Sequence, residues 1–336
     1  LKNRAITGRN NARFGRGAVH RWGIGGYLVS PLSLVLLALG LFACGVATPA
    51  PEEPAAGTPP LGGPAYSAIL VTSDLAVGTN RVAFGLIDRD GMPVRTDEAR
   101  VQSVYFPPGQ DAGEIRQTVT ARFQQWPPGE RGVYVTTLDF DRPGEATEAN
   151  PGFWGLQFTT TTEAGVLVEA QAAARVAEHS STPAIGDPAP RSATPTVRDT
   201  DDLSTISSAA DPDPDLYQLS IDQALDQALE SGKPLMVVFA TPAFCVSATC
   251  GPQVDLVRQV KDRYQGRANF IHVEVFEDPH LIESGRPAGG WVPAVDEWGM
   301  LSEPWTFVID GKGLVHAKFE QFTPAEEIEA ALLEVL

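Results

Sequence analysis

The sequence predicts a multidomain chain, an all-β sandwich followed by an α/β domain. Three observations carry that prediction. Over residues 65–176, short apolar or alternating runs recur between turn signals. From residue 217 the period changes, and helical stripes alternate with short apolar strands. Before and between these stretches lie Pro-, Ser-, Thr- and Ala-rich segments without a hydrophobic period. The chain's 336 residues suffice for two ordinary domains with connecting segments. A composition of 43% hydrophobic residues can bury a core, whereas three cysteines are too few to staple a disulfide-rich mini-domain.

The N-terminal 44 residues read as an address. Lys2, Arg4, Arg9, Arg13, Arg16 and Arg21 occur there with no acidic residue, ahead of an apolar run over 32–43, LSLVLLALGLFA. That run suits a signal-peptide core better than a membrane-spanning helix. It ends in Leu41-Phe42-Ala43-Cys44-Gly45, which resembles the bacterial lipobox. The resemblance implies that Cys44 is lipid-modified and becomes the N-terminus after cleavage. The chain would then be held at the membrane by acyl chains, on the extracytoplasmic side. Without cleavage the same run would serve as a signal anchor, and the bulk of the chain would still lie outside. Residues 45–64 read as a disordered tether.

Removing the six basic residues of the leader from 25 leaves 19 against 42 acidic residues, a net charge of −23. Such a surface repels phosphate backbones, so nucleic acid is excluded as a partner. Its plain consequence is solubility.

Seven strand-like runs fall at 66–72, 81–87, 100–106, 118–126, 132–140, 153–159 and 166–172. Asp90-Gly91, Pro107-Pro108-Gly109, Pro127-Pro128-Gly129 and Pro143-Gly144 punctuate them. Seven short strands so spaced suggest an immunoglobulin-like sandwich over 65–176. Gly132-Val133-Tyr134 and Gly152-Phe153-Trp154 resemble the Tyr and Gly-x-Trp pattern of small bacterial extracytoplasmic domains of that kind. Tyr134 and Trp154 are expected in the core. This region contains no cysteine and no histidine, so the sequence gives it no chemistry.

Residues 177–216 read as a second linker. Within it, Ile185-Gly186-Asp187-Pro188-Ala189-Pro190 resembles the element that precedes extracytoplasmic thioredoxin-like domains, without the aromatic residue that usually follows. From Tyr217 the elements are distinct. Ser220 caps a helix with Gln223 at the capping-box position. Ile221, Ala224, Leu225, Ala228 and Leu229 form its apolar stripe, and Gly232 ends it. Residues 234–240 (PLMVVFA) form a buried strand, and Gly251-Pro252 opens a second helix. Residues 269–276 form a strand, and an excursion follows to 303. Strands at 305–310 and 314–319 meet in a hairpin at Asp310-Gly311-Lys312-Gly313, and Thr323-Pro324 starts a last helix.

This order, α-β-α-β-excursion-β-β-α, resembles the thioredoxin fold over residues 217–336. Gly232-Lys233-Pro234 leads into the strand as in many members, and a cysteine follows that strand just before a helix. The resemblance implies that Pro304 is the family's cis-proline beside the reactive disulfide.

The cysteines stand in Phe244-Cys245-Val246-Ser247-Ala248-Thr249-Cys250-Gly251-Pro252, a C-x₄-C spacing where thioredoxins carry C-x-x-C. Residues five apart on one helix lie about 8.6 Å apart, beyond disulfide reach. A bridge therefore needs Cys245 in the loop before the helix. Two alignments compete. Cys245 is the attacking cysteine with Cys250 resolving, or Cys250-Gly251-Pro252 is the start of the motif with Gln253 in place of the second cysteine. The distance of Cys245 from the preceding strand favours the first. Phe244 then holds the place of the family's aromatic residue.

The expected chemistry is thiol–disulfide exchange with extracytoplasmic protein thiols and disulfides. One departure weighs against it: many thioredoxins keep a buried carboxylate in the strand before the cysteines, and Phe239 stands there. Two other readings remain open. One is a non-catalytic interaction domain with a structural disulfide. The other is a copper-binding module in which His272 or His316 joins the thiolates. Trp298 and Trp305, with Trp291 and Phe244, are candidates for a partner-docking surface, or else for a hydrophobic cap on the sheet edge. No phosphate loop, serine triad or zinc motif is present, and the favoured reading requires no cofactor.

Overall fold

The computed structural model describes residues 64–336 apart from 128, 130, 149–151, 246 and 282–288. The expected leader with Cys44, and the tether up to residue 63, lie outside the described residues.

The first domain owes its shape to one long strand. Its seven strands are β1 (Tyr66–Leu70), β2 (Gly78–Asp88), β3 (Glu98–Phe106), β4 (Glu114–Trp126), β5 (Arg131–Phe140), β6 (Phe153–Thr161) and β7 (Leu167–Ala174). All ladders are antiparallel, in the order β1-β2-β5-β4-β3-β6-β7. The ladder is thus one continuous sheet, where the expected sandwich has two. The cause is β4. From Glu114 to Arg122 it pairs with β3, and from Arg122 to Trp126 it pairs with β5. A strand that changes partner part-way carries the sheet from one layer into the next. The layers then face each other. Phe84 of β2 lies 4.1 Å from Phe158 of β6, and Phe140 of β5 lies 4.9 Å from Trp154 of β6, although neither pair of strands is adjacent in the ladder.

Alternation supplies the inward set: Val82, Phe84 and Leu86 on β2, and Trp154, Leu156 and Phe158 on β6, are buried in one cluster. Each such side chain stabilises the fold by roughly 1.5–3 kcal/mol. The polar tips of the two largest are satisfied. The Tyr134 hydroxyl accepts from the Thr96 N–H at 2.8 Å and donates to the Val94 carbonyl at 3.2 Å, and Trp154 Nε1 donates to the Arg142 carbonyl at 3.0 Å. Gly144 is required beside that indole, since a Cβ there would lie 2.6 Å from its Cδ1.

The second domain comprises α1 (Ile221–Ser231), β8 (Leu235–Phe239), α2 (Cys250–Arg263), β9 (Asn269–Val273), α3 (Pro293–Glu297), β10 (Trp305–Ile309), β11 (Val315–Glu320) and α4 (Ala325–Leu333). The sheet order is β11-β10-β8-β9, with β8 and β9 parallel and the other pairs antiparallel. Both faces of β8 are covered, which is why it reads as an unbroken apolar run. Leu235, Val237 and Phe239 face α1, and Met236, Val238 and Ala240 face α2 and α4. The Ser220 N–H is held by Gln223 Oε1 at 3.3 Å, and Gly232 closes α1 at φ 75° with its N–H on the Ala228 carbonyl. Leu229, expected in the buried stripe, is exposed.

Residues 177–216 are packed rather than a free linker. Gly186 N–H donates to the Val315 carbonyl, Val315 N–H to the Asp187 carbonyl and Ala189 N–H to the Gly313 carbonyl, all within 2.9 Å. This adds a short edge segment to β11. Further on, Asp199 accepts from the Thr196 backbone and hydroxyl, and Leu216 is buried in the core under α2. The polar composition hides this because Ser, Thr and Asp side chains satisfy the local backbone.

The two domains are joined by polar contacts. The Asp74 carboxylate accepts from Ser180, Ser181, Thr182 and Lys318. Arg81 of β2 makes a two-pronged ion pair with Glu327 of α4 at 2.7 and 3.0 Å. Ser73 donates from its backbone and hydroxyl to Glu320 at the end of β11, at 2.7 and 2.6 Å. Among the described residues no helix is long and apolar enough to cross a membrane.

Candidate functional site

The site forms where β8 ends. Beyond Phe239 the chain crosses a loop and enters α2 at Cys250. Ala248 takes a left-handed conformation at φ 58°, and its N–H closes a turn on the Cys245 carbonyl at 3.1 Å. The turn folds Cys245 back towards the helix, so the two Cα atoms stand 5.8 Å apart and the sulfurs are joined in a disulfide. Cys245 lies in the loop, half-buried, while Cys250 is the first helical residue and fully buried. The Ser247 hydroxyl lies 3.1 Å from Cys245 Sγ and 2.6 Å from the Thr249 hydroxyl.

Opposite this loop runs the segment that enters β10. The Glu303–Pro304 peptide bond is cis. The segment is fixed by Gln321, whose N–H donates to the Pro304 carbonyl at 2.8 Å and whose side chain donates to the Glu303 carbonyl at 2.9 Å. The Glu303 carboxylate accepts from the Thr241 N–H at 2.8 Å. One of its oxygens and the two cysteine sulfurs all lie within 4.8 Å of one another. Burial pushes this carboxyl up to about 7, opposed by the Thr241 hydrogen bond and aided by the charge of Glu274. Sequence reasoning missed Glu303. Its only signal was position, one residue before the expected cis-proline.

Phe239 is buried where the family's carboxylate would stand, packed 5.1 Å from Trp298. The docking surface needs correction. Trp298 is 0% exposed, wedged against Phe239 and Phe307, with its N–H on the Ser192 hydroxyl. Trp305 is 2% exposed, stacked on Phe307, with its N–H on the Ser302 hydroxyl. Both fill the core because a nearby serine satisfies each indole. Trp291 is 45% exposed and Phe244 half-buried. Beside the site, Pro242, Ala243, Gly251, Val254 and Arg258 line an open groove of about 380 Å³ with residues 208–213 opposite.

The histidines do not join the cysteines. His272 is buried in β9 with both ring nitrogens engaged, by the Tyr217 hydroxyl at 2.5 Å and the Ala240 carbonyl at 2.9 Å. Burial holds its pKa below the ordinary value, so it stays neutral. His316 pairs with Glu334 at 2.9 Å. While the cysteines are bonded to each other, neither sulfur is free to bind a metal.

Residues 221–336 match the family model of the thioredoxin-like domain. This second domain is thioredoxin-like. Among solved structures, chloroplastic thioredoxin z is 19% identical, with a TM-score of 0.25, over 33% of this chain and 86% of that one. MtrC from Shewanella baltica OS185 is 10% identical, with a TM-score of 0.23, over 48% of this chain and 32% of that one. No curated protein matches the chain.

Proposed function

We propose that this chain is a membrane-anchored extracytoplasmic protein whose thioredoxin-like domain exchanges thiols and disulfides through Cys245 and Cys250. One observation carries the exchange: a half-buried loop cysteine is bonded to a fully buried one at a helix N-terminus. An incoming thiolate reaches Cys245 and not Cys250. Attack at Cys245 expels Cys250 as a thiolate, which the dipole of α2 stabilises at the helix N-terminus. A stabilised leaving thiolate leaves faster. In reverse, the reduced Cys245 attacks a substrate disulfide and Cys250 resolves the mixed disulfide. Anchoring and location rest on the basic leader, the apolar run and Cys44. The β domain is read as immunoglobulin-like. Its order, β1-β2-β5-β4 then β3-β6-β7, corresponds to the two layers of that fold taken in chain order, with β4 shared. It serves as a spacer that also braces the site through Ser73.

The test uses Cys250→Ser, reduced and offered oxidised glutathione. The account expects a stable one-to-one adduct on Cys245. An adduct absent from this variant under conditions where free thiols react would leave the pair as a structural bridge.

A further inference from the structure

We propose that Glu303 is the proton carrier for Cys250 during exchange, in place of the strand carboxylate that Phe239 displaces. This rests on the exchange reading above and concerns the same pair of sulfurs. Cys250 is buried, so bulk water cannot take up its proton when it becomes a nucleophile or return one when it leaves. A base must therefore stand within hydrogen-bond reach of the sulfur, directly or through one water. A carboxylate oxygen of Glu303 lies within 4.8 Å of both sulfurs, a span that one water bridges.

The carboxyl is also aimed. The Thr241 N–H, at the start of the cysteine loop, holds one oxygen at 2.8 Å, which ties the Glu303 side chain to the strand end that Phe239 closes. Gln321 fixes the Glu303 backbone from the other side. The titratable groups on the elements packed around it have other partners. Glu274, beyond β9, accepts from the Ser208 and Val275 N–H groups. His272 is engaged at both nitrogens. On β11, Glu320 is held by Ser73 and Ser302, and Lys318 by Asp74. No cation among these neutralises Glu303, and burial with the nearby Glu274 charge sets its proton affinity near neutral pH.

Reduced Cys245 thiolate attacks a substrate disulfide, forming a mixed disulfide and expelling one substrate thiolate. Cys250 gives its proton to the Glu303 carboxylate and attacks the Cys245 sulfur. The 245–250 bond forms, the mixed disulfide breaks, and the second substrate thiolate leaves. Glu303 passes the proton outward. The substrate disulfide gains two electrons and the cysteine pair loses two. In the oxidising direction, Cys250 leaves as a thiolate at the start of α2 and then takes its proton from Glu303.

The test is single-turnover oxidation of the reduced full chain by oxidised glutathione, acid-quenched and read by mass, from pH 5.5 to 9. In the wild type, closure of the 245–250 bond is expected to accelerate with an inflection near pH 7. Glu303→Gln should lose that inflection and close at least about tenfold more slowly at pH 7. Glu303→Asp, a shorter carboxylate, should recover part of the rate and keep an inflection. Equal rates and profiles in wild type and Glu303→Gln would overturn the proposal and leave exchange intact. If Glu303→Gln does not fold, a wild-type profile lacking the inflection near pH 7 overturns it equally. A wild type that forms no adduct with glutathione at all would instead remove the exchange reading.

Discussion

Glu303 is a carboxyl whose environment favours its neutral form, and that has a consequence for stability as well as chemistry. A carboxyl raised to about 7 in the folded chain contributes most below its unfolded value of about 4.3, and the contribution is lost as pH rises through 7. Glu303→Gln cannot ionise. Its melting temperature should therefore rise relative to the wild type from pH 5 to pH 8; an unchanged difference would mean that the carboxyl is not raised. The neighbouring residues show how far the site was legible. The cysteine spacing gave a loop-plus-helix bridge because helix geometry allows no other. Glu303 was hidden because the carboxylate was sought in the strand, whereas the tertiary fold brings it from 62 positions along the chain to the Thr241 N–H. Trp298 and Trp305 were misplaced because an aromatic-rich excursion looks the same whether it covers a core or faces a partner.

At the scale of elements, the order of helices and strands in the second domain followed from periodicity, since both faces of β8 are buried and each helix has a distinct stripe. The switch of β4 between layers had no sequence signal beyond its length, because both halves alternate alike. The packed segment 177–216 was unreadable for a related reason: hydrogen bonds rather than apolar area hold it. Lys261 of α2 illustrates the point. Nearly buried, it reaches Asp213 at 3.1 Å, Asp215 at 3.2 Å and Asp262 at 2.9 Å, pinning the helical turn at Pro214–Tyr217 to the helix. Despite the burial, these carboxylates hold its pKa above the ordinary lysine value. Lys261→Met should cost about 1–3 kcal/mol, less than the roughly 3–5 kcal/mol of a fully buried ion pair because the aspartates are partly solvated. Urea unfolding with an unchanged slope reads this directly; a loss below about 0.5 kcal/mol would mean the cluster behaves as an ordinary surface pair.

At the scale of the whole molecule, the β domain and the thioredoxin-like domain belong to one unit and share a polar joint. Asp74 is its centre. Although burial opposes it, hydrogen bonds from Ser180 and Thr182 and the charge of Lys318 hold its carboxyl well below the usual carboxylate range. A depressed carboxyl contributes above its unfolded pKa, so the joint's share of stability persists above about pH 4 and is lost as pH falls further. Calorimetry of the unaltered chain at neutral pH should give one transition. Asp74→Ala combined with Arg81→Ala should separate it into two; one undivided transition in the double variant would show that other contacts carry the coupling. The joint also reaches the site, since Glu320 is shared by Ser73 of the β domain and Ser302, one residue before Glu303.

On the exchange reading, the 245–250 bridge is made to open and close. Equilibration of the full chain in glutathione buffers, with free thiols alkylated and counted by mass, measures it most directly. The expected two-electron potential lies between about −270 and −120 mV, the range of proteins that exchange disulfides. A value below about −300 mV, where structural disulfides lie, would contradict it.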